Sequence, residues 1–284
     1  MEKCLFVSDL DGTLLRSDET LSEYTCNVIN RLTKEGMIFS FATARSLITA
    51  KKVTSGLNAQ IPLIVYNGAF IMDNVTGEIL AANYFGNEVK NLLHDLFQAD
   101  IWPIVYSYID GAEHFSFIPE RCSAGLNTFL KTREGDQRWR EALSEEDLLS
   151  GDLFYITCID AKDKLEPFYE KYKDTYHIVF QQDIYTKEQW LEIMPISASK
   201  ANAVLQLKQK LGCERVISFG DAMNDMDMFA ISDEAYAVEN ALAELKAVAT
   251  GIIGNNNEDG VARWLEAFRK TRANGKYSNL FLGQ

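Results

Sequence analysis

One stretch of sequence decides the fold: CLFVSDLDGTLL, residues 4–15. Its first five residues form a largely apolar run, which is typical of a parallel strand that is buried on both faces. Asp9 and Asp11 follow, and because alternate residues of an extended segment face the same way, both carboxylates should face one spot beyond the strand end. Gly12 permits the sharp turn that leaves them exposed. An acidic turn that only caps the strand is the alternative, since Asp and Gly are ordinary turn residues.

Strands and helices alternate along the chain up to about residue 82 and again from Ser199. Ser22 is the predicted N-cap of a helix that ends near Gly36, and a second helix begins at Ser46. The order strand, helix, strand, helix, strand implies a parallel sheet with right-handed crossovers. We therefore predict an α/β core, with a parallel sheet and helices on both faces.

The middle of the chain has a different texture, with a helix over 87–98 and a hairpin around Asp110-Gly111. We predict a core formed by residues 1–82 and 190–284, interrupted by an α+β domain over 83–189. The insert contains 18 of the 32 aromatic residues. Packing of a small core explains most of these rings, and a few could line a pocket. The candidates for contact with a ligand are Tyr106, Tyr108, His114, Phe154, Gln181 and Tyr185.

Composition excludes several classes of function. The 284 residues include 41 acidic and 28 basic ones, and no basic stripe occurs, so we expect no nucleic-acid partner. The five cysteines are scattered and never spaced as a zinc or redox pair, so we expect buried thiols. No apolar run reaches the roughly 18 residues of a membrane span or resembles a signal peptide. We expect a soluble cytoplasmic protein with no membrane partner, either a monomer or a weak homo-oligomer.

Polar residues end four of the predicted strands: Asp9, Thr43, Asn67 and Asp221. Open parallel sheets bind ligands outside the carboxyl ends of their strands, although each residue would also fit an ordinary turn or helix cap. Asp221 begins a second acidic loop over 220–225. Together with the first loop it offers only hard oxygen ligands, which suit Mg²⁺ better than zinc.

Lys200 is predicted in the first turn of a helix that is capped by Ser197 or Ser199. The helix dipole disfavours a cation at that position. A solvated surface lysine is the ordinary explanation. An anion shared between the ammonium group and the helix start explains the position better, and a phosphate group would serve.

With these residues in place, the sequence resembles the haloacid dehalogenase-like superfamily, and within it the Cof-type phosphatases that carry an inserted α/β cap. The resemblance covers nearly the whole chain and rests on DLDGTL at 9–14, Thr43, Lys200 and GDAMNDMDMF at 220–229. It implies a Rossmann-like core with an α+β cap that selects the substrate. Ala44 stands where the family commonly has glycine, which removes backbone freedom beside the phosphate but no catalytic group.

The resemblance also implies roles for individual residues. Asp9 would attack phosphorus and form an aspartyl-phosphate, while Asp11 would act first as acid and then as base. Mg²⁺ would be held by Asp9, Asp221 and the backbone carbonyl of Asp11. The implied phosphate-binding residues are Leu10, Thr43, Ala44, Lys200 and Asn224. The implied supporting residues are Asp225, Asn67 and Arg45.

We therefore predict a Mg²⁺-dependent phosphatase of a small phosphorylated metabolite, such as a sugar phosphate or a nucleotide-like cofactor. Two alternatives share the same motifs. A phosphotransferase or phosphomutase would pass the phosphoryl group to a sugar hydroxyl instead of water. A non-catalytic module would bind a phosphorylated metabolite without turnover.

Overall fold

The computed structural model describes residues 2–58, 60–182 and 188–273. The chain divides into two compact units, one formed by Met1–Ala82 with Ser199–Gln284 and the other by Asn83–Ala198. The sequence had predicted that the inserted unit ends at residue 189, but in the structure it ends at Ala198. The reason is that Gln189–Met194 forms a strand that pairs with strands of the inserted unit.

The elements are numbered in chain order. The strands are β1 (Cys4–Asp9), β2 (Ile38–Ala42), β3 (Pro62–Val65), β4 (Phe70–Asp73), β5 (Ile79–Ala82), β6 (Ile104–Ile109), β7 (Ala112–Phe117), β8 (Trp139–Glu141), β9 (Asp152–Asp160), β10 (His177–Gln182), β11 (Gln189–Met194), β12 (Arg215–Gly220), β13 (Glu234–Val238) and β14 (Gly251–Ile253). The helices are α1 (Glu23–Lys34), α2 (Leu47–Val53), α3 (Val89–Gln98), α4 (Ala124–Lys131), α5 (Glu145–Leu148), α6 (Lys162–Tyr172), α7 (Lys200–Leu211), α8 (Met226–Ala230), α9 (Ala243–Val248) and α10 (Gly260–Ala273).

The first unit contains a sheet with the strand order β14-β13-β12-β1-β2-β3-β4-β5. Strands β14 to β3 run parallel, and β3, β4 and β5 pair antiparallel. The predicted α/β architecture is confirmed, and β6 and β7 form the predicted hairpin around Asp110-Gly111 in the inserted unit. Because β1 lies near the middle of the sheet, the loop that follows it has neighbouring loops on both sides.

Strand β1 is buried on both faces, which explains its continuous apolar run. Leu5 and Val7 belong to the hydrophobic cluster that includes Val204 and Leu207 of α7. Phe6 points to the opposite face, where its ring packs edge-on against Phe268 of α10 at 5.2 Å between centroids. Helices therefore cover both faces of the sheet, as predicted.

Serine side chains begin the helices that flank this core. Ser22 accepts a hydrogen bond from the amide of Thr25 at the start of α1, and Ser46 accepts one from Thr49 at the start of α2. Ser199, not Ser197, caps α7 by accepting from the amide of Asn202. These caps satisfy amides that have no partner within the helix, and they fix where each helix begins.

The inserted unit is built on a sheet with the strand order β10-β11-β9-β6-β7-β8. All its pairs are antiparallel except that of β7 with β8. Helices α3 and α6 contribute Leu92 and Leu165 to its hydrophobic core. Of the predicted ligand-contact candidates, Tyr106 and Phe154 are buried, with ring centroids 6.2 Å apart, and Tyr185 lies outside the described residues.

All five cysteines are free thiols, and three of them are buried. These three agree with the expectation of buried thiols that act as small hydrophobic residues, while Cys26 and Cys122 are only partly buried. In the part of the chain that the structure describes, no helix combines the length and the apolar character needed to cross a membrane.

Candidate active site

Four neighbouring strands of the first unit end in the polar residues that the sequence singled out. Asp9 is the last residue of β1. Thr43 directly follows β2, Asn67 lies two residues beyond β3, and Asp221 directly follows β12. The order β12-β1-β2-β3 brings these strand ends side by side at the carboxyl edge of the sheet. Residues from distant parts of the chain therefore share one edge, where open parallel sheets bind ligands.

Three carboxylates meet at this edge. Asp9, Asp221 and Asp225 each offer an oxygen, and these oxygens lie within 4.8 Å of one another. Asp225 is fully buried, and its Oδ2 accepts hydrogen bonds from the amides of Asp221 (3.0 Å) and Ala222 (3.2 Å). One oxygen of Asp225 therefore holds the backbone at the start of the second acidic loop, and the carboxylate also adds its negative charge to the cluster.

Lys200 connects the two acidic loops. Its Nζ donates to Asp9 Oδ1 at 2.6 Å and to Asp225 Oδ1 at 2.7 Å. The side chain is 2% exposed. Burial opposes a charge on Lys200, but the carboxylates of Asp225 and Asp9 outweigh it and raise the pKa of the lysine above its usual value. The lysine therefore stays charged between these two carboxylates.

One ammonium group does not balance three carboxylates. Burial raises the pKa of Asp9 well above its usual value, and Asp225 and Asp221 add to this while Lys200 opposes it. Burial, together with the neighbouring Asp225, raises the pKa of Asp221 to about 6. The site is therefore short of positive charge. A divalent cation would supply it, and an all-oxygen donor set fits a hard cation.

Gly12 allows the two acidic loops to approach. Its φ of +78° favours glycine, and a Cβ atom there would lie 2.3 Å from Asp221 Oδ2. The next residue, Thr13, donates from Oγ1 to Asp221 Oδ1 at 2.9 Å. Thr13 belongs to the DLDGTL stretch at 9–14 but was not among the predicted site residues. It orients the carboxylate of Asp221.

Asp11 is held by Arg45. The guanidinium group donates from Nη2 to Asp11 Oδ1 at 2.6 Å and from Nε to Oδ2 at 2.9 Å. Glu19 contacts the same Nη2 at 2.9 Å. Arg45 was predicted only as a supporting residue, and the structure shows that it orients Asp11. The Asp11 carboxylate is outside the cluster of three, and its side chain is 48% exposed.

The remaining predicted residues surround this cluster. Thr43 is buried, and its hydroxyl accepts from the amide of Arg45 at 3.1 Å. Ala44 is exposed and has no positive φ, so alanine in place of the family's usual glycine causes no backbone strain. The Leu10 side chain is buried, and Asn224 lies exposed in the turn Met223–Asp225. Their contacts with a phosphate group stay predictions.

The loop between β13 and α9 forms hydrogen bonds with both acidic loops, although none of its residues was predicted to belong to the site. Asn240 donates from Nδ2 to the carbonyl of Gly12 at 2.7 Å, and its Oδ1 accepts from the amide of Asn256 at 3.0 Å. Two residues later, the amide of Leu242 donates to the carbonyl of Asp221 at 2.9 Å. No local pattern marks Asn240, because its partner Gly12 is 228 residues away along the chain.

Comparison with known proteins gives one consistent relationship. A model of the haloacid dehalogenase-like hydrolase family matches residues 6–265. A Buchnera aphidicola protein is 30% identical over 92% of this chain and 96% of its own length. A Bacillus subtilis protein named 5-amino-6-(5-phospho-D-ribitylamino)uracil phosphatase is 27% identical, over 93% of this chain and 97% of that one. A crystal structure of a Thermotoga maritima protein matches with a TM-score of 0.76 at 25% identity, over 94% of this chain and 97% of that one.

Proposed function

The chain belongs to the haloacid dehalogenase-like hydrolase family and is a phosphoric monoester hydrolase, and on that premise we propose that it is a Mg²⁺-dependent phosphatase of small phosphorylated metabolites. One observation carries the proposal. Three carboxylates and a buried lysine, contributed by two acidic loops and a helix start, meet at the carboxyl edge of a parallel sheet. This set can bind a metal ion and a phosphoryl group at the same place.

Asp9 is the proposed nucleophile. Lys200 holds one of its oxygens at 2.6 Å and so restricts the rotation of the carboxylate. Attack on phosphorus forms a bond from Asp9 to phosphorus while the bond to the leaving oxygen breaks, which divides hydrolysis into two easier steps. Lys200 and the hydroxyl of Thr43 would then bind the phosphoryl oxygens, where negative charge increases during transfer.

Asp11 is the proposed acid and base. It would donate a proton to the leaving alkoxide and later accept one from the water molecule whose oxygen attacks the aspartyl-phosphate. In that second step the bond from Asp9 to phosphorus breaks, and inorganic phosphate leaves. Because Asp11 is about half exposed, its side chain can exchange the contact with Arg45 for one with the leaving oxygen.

The carboxylates of Asp9 and Asp221 and the backbone carbonyl of Asp11, with Asp225 beside them, would hold Mg²⁺. The ion would supply the positive charge that this cluster lacks and would offset charge on the phosphoryl group. Thr13, Gly12 and Asn240 keep the two acidic loops close together.

A small metabolite is the proposed substrate class, in the form of a sugar phosphate or a nucleotide-like cofactor. The named B. subtilis relative acts on a phosphate monoester carried by a ribityl chain on a uracil, which supports this class. We propose that the inserted unit selects the part of the substrate that leaves. Its abundance of aromatic side chains supports this role, because such rings pack well against sugars and heterocycles.

A phosphate-release assay tests the proposed function. The purified protein is incubated with sugar phosphates, nucleoside monophosphates and phosphorylated cofactor precursors, with Mg²⁺ or with EDTA. We expect release of inorganic phosphate from at least one monoester with Mg²⁺ and loss of that release with EDTA. Formation of an isomeric sugar phosphate would instead identify a phosphomutase. A folded protein that releases no phosphate from the whole panel would contradict the proposal.

The thermal stability of the protein should depend on pH, and the stabilisation by Mg²⁺ should be larger at high pH than at low pH. Without metal, the raised pKa of about 6 at Asp221 means that the folded state binds more protons than the unfolded state between about pH 4 and 6. Stability of the metal-free protein should therefore fall as the pH rises through this range. Saturating Mg²⁺ needs the ionised carboxylates, so it should raise Tm by about 5 to 10 °C at pH 8 and by much less at pH 5.

Thermal unfolding with and without Mg²⁺ at the two pH values measures this difference. The Asp221→Asn variant is the control, since it removes one metal ligand together with the group that titrates. We expect its Tm to respond weakly to Mg²⁺ at either pH. An equal Mg²⁺-induced shift of Tm at pH 5 and pH 8 in the unaltered protein would show that Asp221 does not bind the ion.

A further inference from the structure

The turn Tyr66–Gly68, directly after β3, has an unusual backbone. Its three residues have φ values of +52°, +51° and +99°. Two of them are not glycine, and left-handed backbone at such residues is unfavourable unless the surrounding structure imposes it. The turn is nevertheless buried, with Asn67 only 2% exposed. An unfavourable backbone that is held in place beside a candidate site calls for a functional explanation.

Hydrogen bonds connect this turn to the loop that follows β2. The amide of Asn67 donates to the carbonyl of Thr43 at 2.9 Å, and the amide of Tyr66 donates to the carbonyl of Arg45 at 3.0 Å. The left-handed conformation points both amides toward that loop. The turn therefore fixes the backbone on either side of Ala44, which is the segment proposed to bind phosphate.

Gly68 places the same turn against the start of α7. A Cβ atom on Gly68 would lie 2.2 Å from the carbonyl oxygen of Ser199 and 3.1 Å from the amide nitrogen of Lys200. These are backbone atoms, so the clash could be relieved only by moving the helix start. Glycine at position 68 therefore permits the close approach of α7 that brings Lys200 to the two carboxylates.

Lys200 tolerates little displacement. Its ammonium group spans Asp9 and Asp225 at 2.6 and 2.7 Å, and hydrogen bonds of this kind weaken beyond about 3.2 Å. A movement of the helix start by about 1 Å directly away from the two carboxylates would lengthen both contacts beyond that limit.

We propose that the left-handed turn Tyr66–Gly68 positions the phosphate-binding half of the site, and that Gly68 is a positioning residue acting through Lys200. The proposal rests on the proposed function, since it assigns phosphate binding to Lys200 and Thr43. The acidic half of the site is held, besides Lys200, by contacts that the turn does not make, those of Gly12, Thr13 and Asn240. Disturbing the turn should therefore separate phosphate binding from metal binding.

The Gly68→Ala variant tests this separation, with Gly36→Ala as its matched control. Gly36 has a similar φ of +92°, but a Cβ atom there would meet nothing within 4 Å. Both variants carry the same kind of backbone penalty, and only Gly68→Ala adds the clash with Ser199. We measure binding of inorganic phosphate by calorimetry, kcat and KM for the best monoester, the Mg²⁺ concentration for half-maximal activity, and Tm.

We expect Gly68→Ala to lower kcat/KM by about 100-fold, which is typical of a displacement of about 1 Å, and to weaken phosphate binding by at least about 10-fold. Its half-saturating Mg²⁺ concentration should change by a clearly smaller factor than its phosphate affinity, because Gly12, Thr13 and Asn240 still hold the acidic loops together. Gly36→Ala should match the unaltered protein within about 3-fold in all three. Native phosphate affinity in Gly68→Ala, or an equal weakening of phosphate and Mg²⁺ binding, would overturn the proposal.

A second pair of variants covers the case in which Gly68→Ala does not fold. Asn67→Gly and Asn67→Ala remove the same side chain, but only alanine resists a φ near +51°. We expect phosphate to bind more weakly to Asn67→Ala than to Asn67→Gly by at least about 3-fold. Equal affinities would overturn the positioning role.

Measurements on the unaltered protein distinguish failure of the positioning role from failure of the proposed function. If it releases and binds phosphate while Gly68→Ala does so equally well, only the positioning role fails. If the unaltered protein neither binds inorganic phosphate nor hydrolyses any monoester, the proposed function fails, and the positioning role fails with it.

Discussion

Replacing Asp9 with asparagine is expected to reduce hydrolysis of p-nitrophenyl phosphate by more than about 10⁴-fold, the scale of loss seen when a nucleophile is removed. Asparagine has nearly the same shape as aspartate, and its oxygen can still accept from Lys200. Its neutral amide cannot form the aspartyl-phosphate. The loss should therefore appear in kcat, because the proposed phosphate-binding residues Lys200 and Thr43 are unchanged.

The same variant should fold at least as stably as the unaltered protein when no metal is present. Burial raises the pKa of Asp9, which means that its ionised form opposes folding near neutral pH, and asparagine carries no charge. Thermal unfolding checks this point. Asp227→Asn is the control, because Asp227 is an exposed acidic residue of α8 nearby in sequence to Asp225. Its activity should stay within about 3-fold of native. Near-native hydrolysis by Asp9→Asn would refute the covalent mechanism.

Replacing Lys200 with methionine is expected to have the second largest effect. Methionine keeps most of the volume of the side chain but removes the ammonium group shared by Asp9 and Asp225. Breaking a buried ion pair from one side leaves unpaired charge, so the free energy of unfolding without metal should fall by about 3 to 5 kcal/mol. The turnover rate should fall by about 10² to 10³-fold, because the proposed charged donor to the phosphoryl oxygens is lost.

Mg²⁺ should recover part of the stability of Lys200→Met and little of its turnover. The ion can neutralise the carboxylates, but it cannot replace a donor at the start of α7. Lys208→Met is the matched control on the same helix, because Lys208 is 26% exposed and lies 3.8 Å from Asp233. Its unfolding free energy should change by less than about 1 kcal/mol. Equal losses of stability and turnover in the two variants would refute a special role for Lys200.

The sequence predicted the elements of the fold well because each prediction depended on neighbouring residues. The apolar run of β1, the serine caps of α1 and α2 and the hairpin of β6 and β7 are local patterns, and the structure has them. The predicted end of the inserted unit was wrong, because the sequence of β11 has no feature that distinguishes it from a strand of the core. Only its pairing with β9 and β10 assigns it to the second sheet.

The candidate site divides along the same line. Asp9 and Asp221 could be singled out because polar residues recur at the ends of several predicted strands, and Lys200 because the helix dipole disfavours a cation in the first turn. Asn240 and Glu19 could not, because their partners Gly12 and Arg45 lie far away in sequence or carry no pattern that points to them. Arg45 was predicted only as a supporting residue, and only the folded chain shows that it donates hydrogen bonds to both carboxylate oxygens of Asp11.

The sequence by itself determined that the chain forms a parallel α/β core with an inserted domain, and that acidic loops end two of its strands. Periodicity and turn chemistry suffice for that, since they act over a few residues. Only the tertiary structure decided that Lys200 joins Asp9 to Asp225, two carboxylates 191 and 25 residues away from it. It also decided that a left-handed turn at Gly68 admits the start of α7. Those contacts follow from the packing of distant segments at one sheet edge, where burial turns ordinary carboxylates into a site that needs a cation.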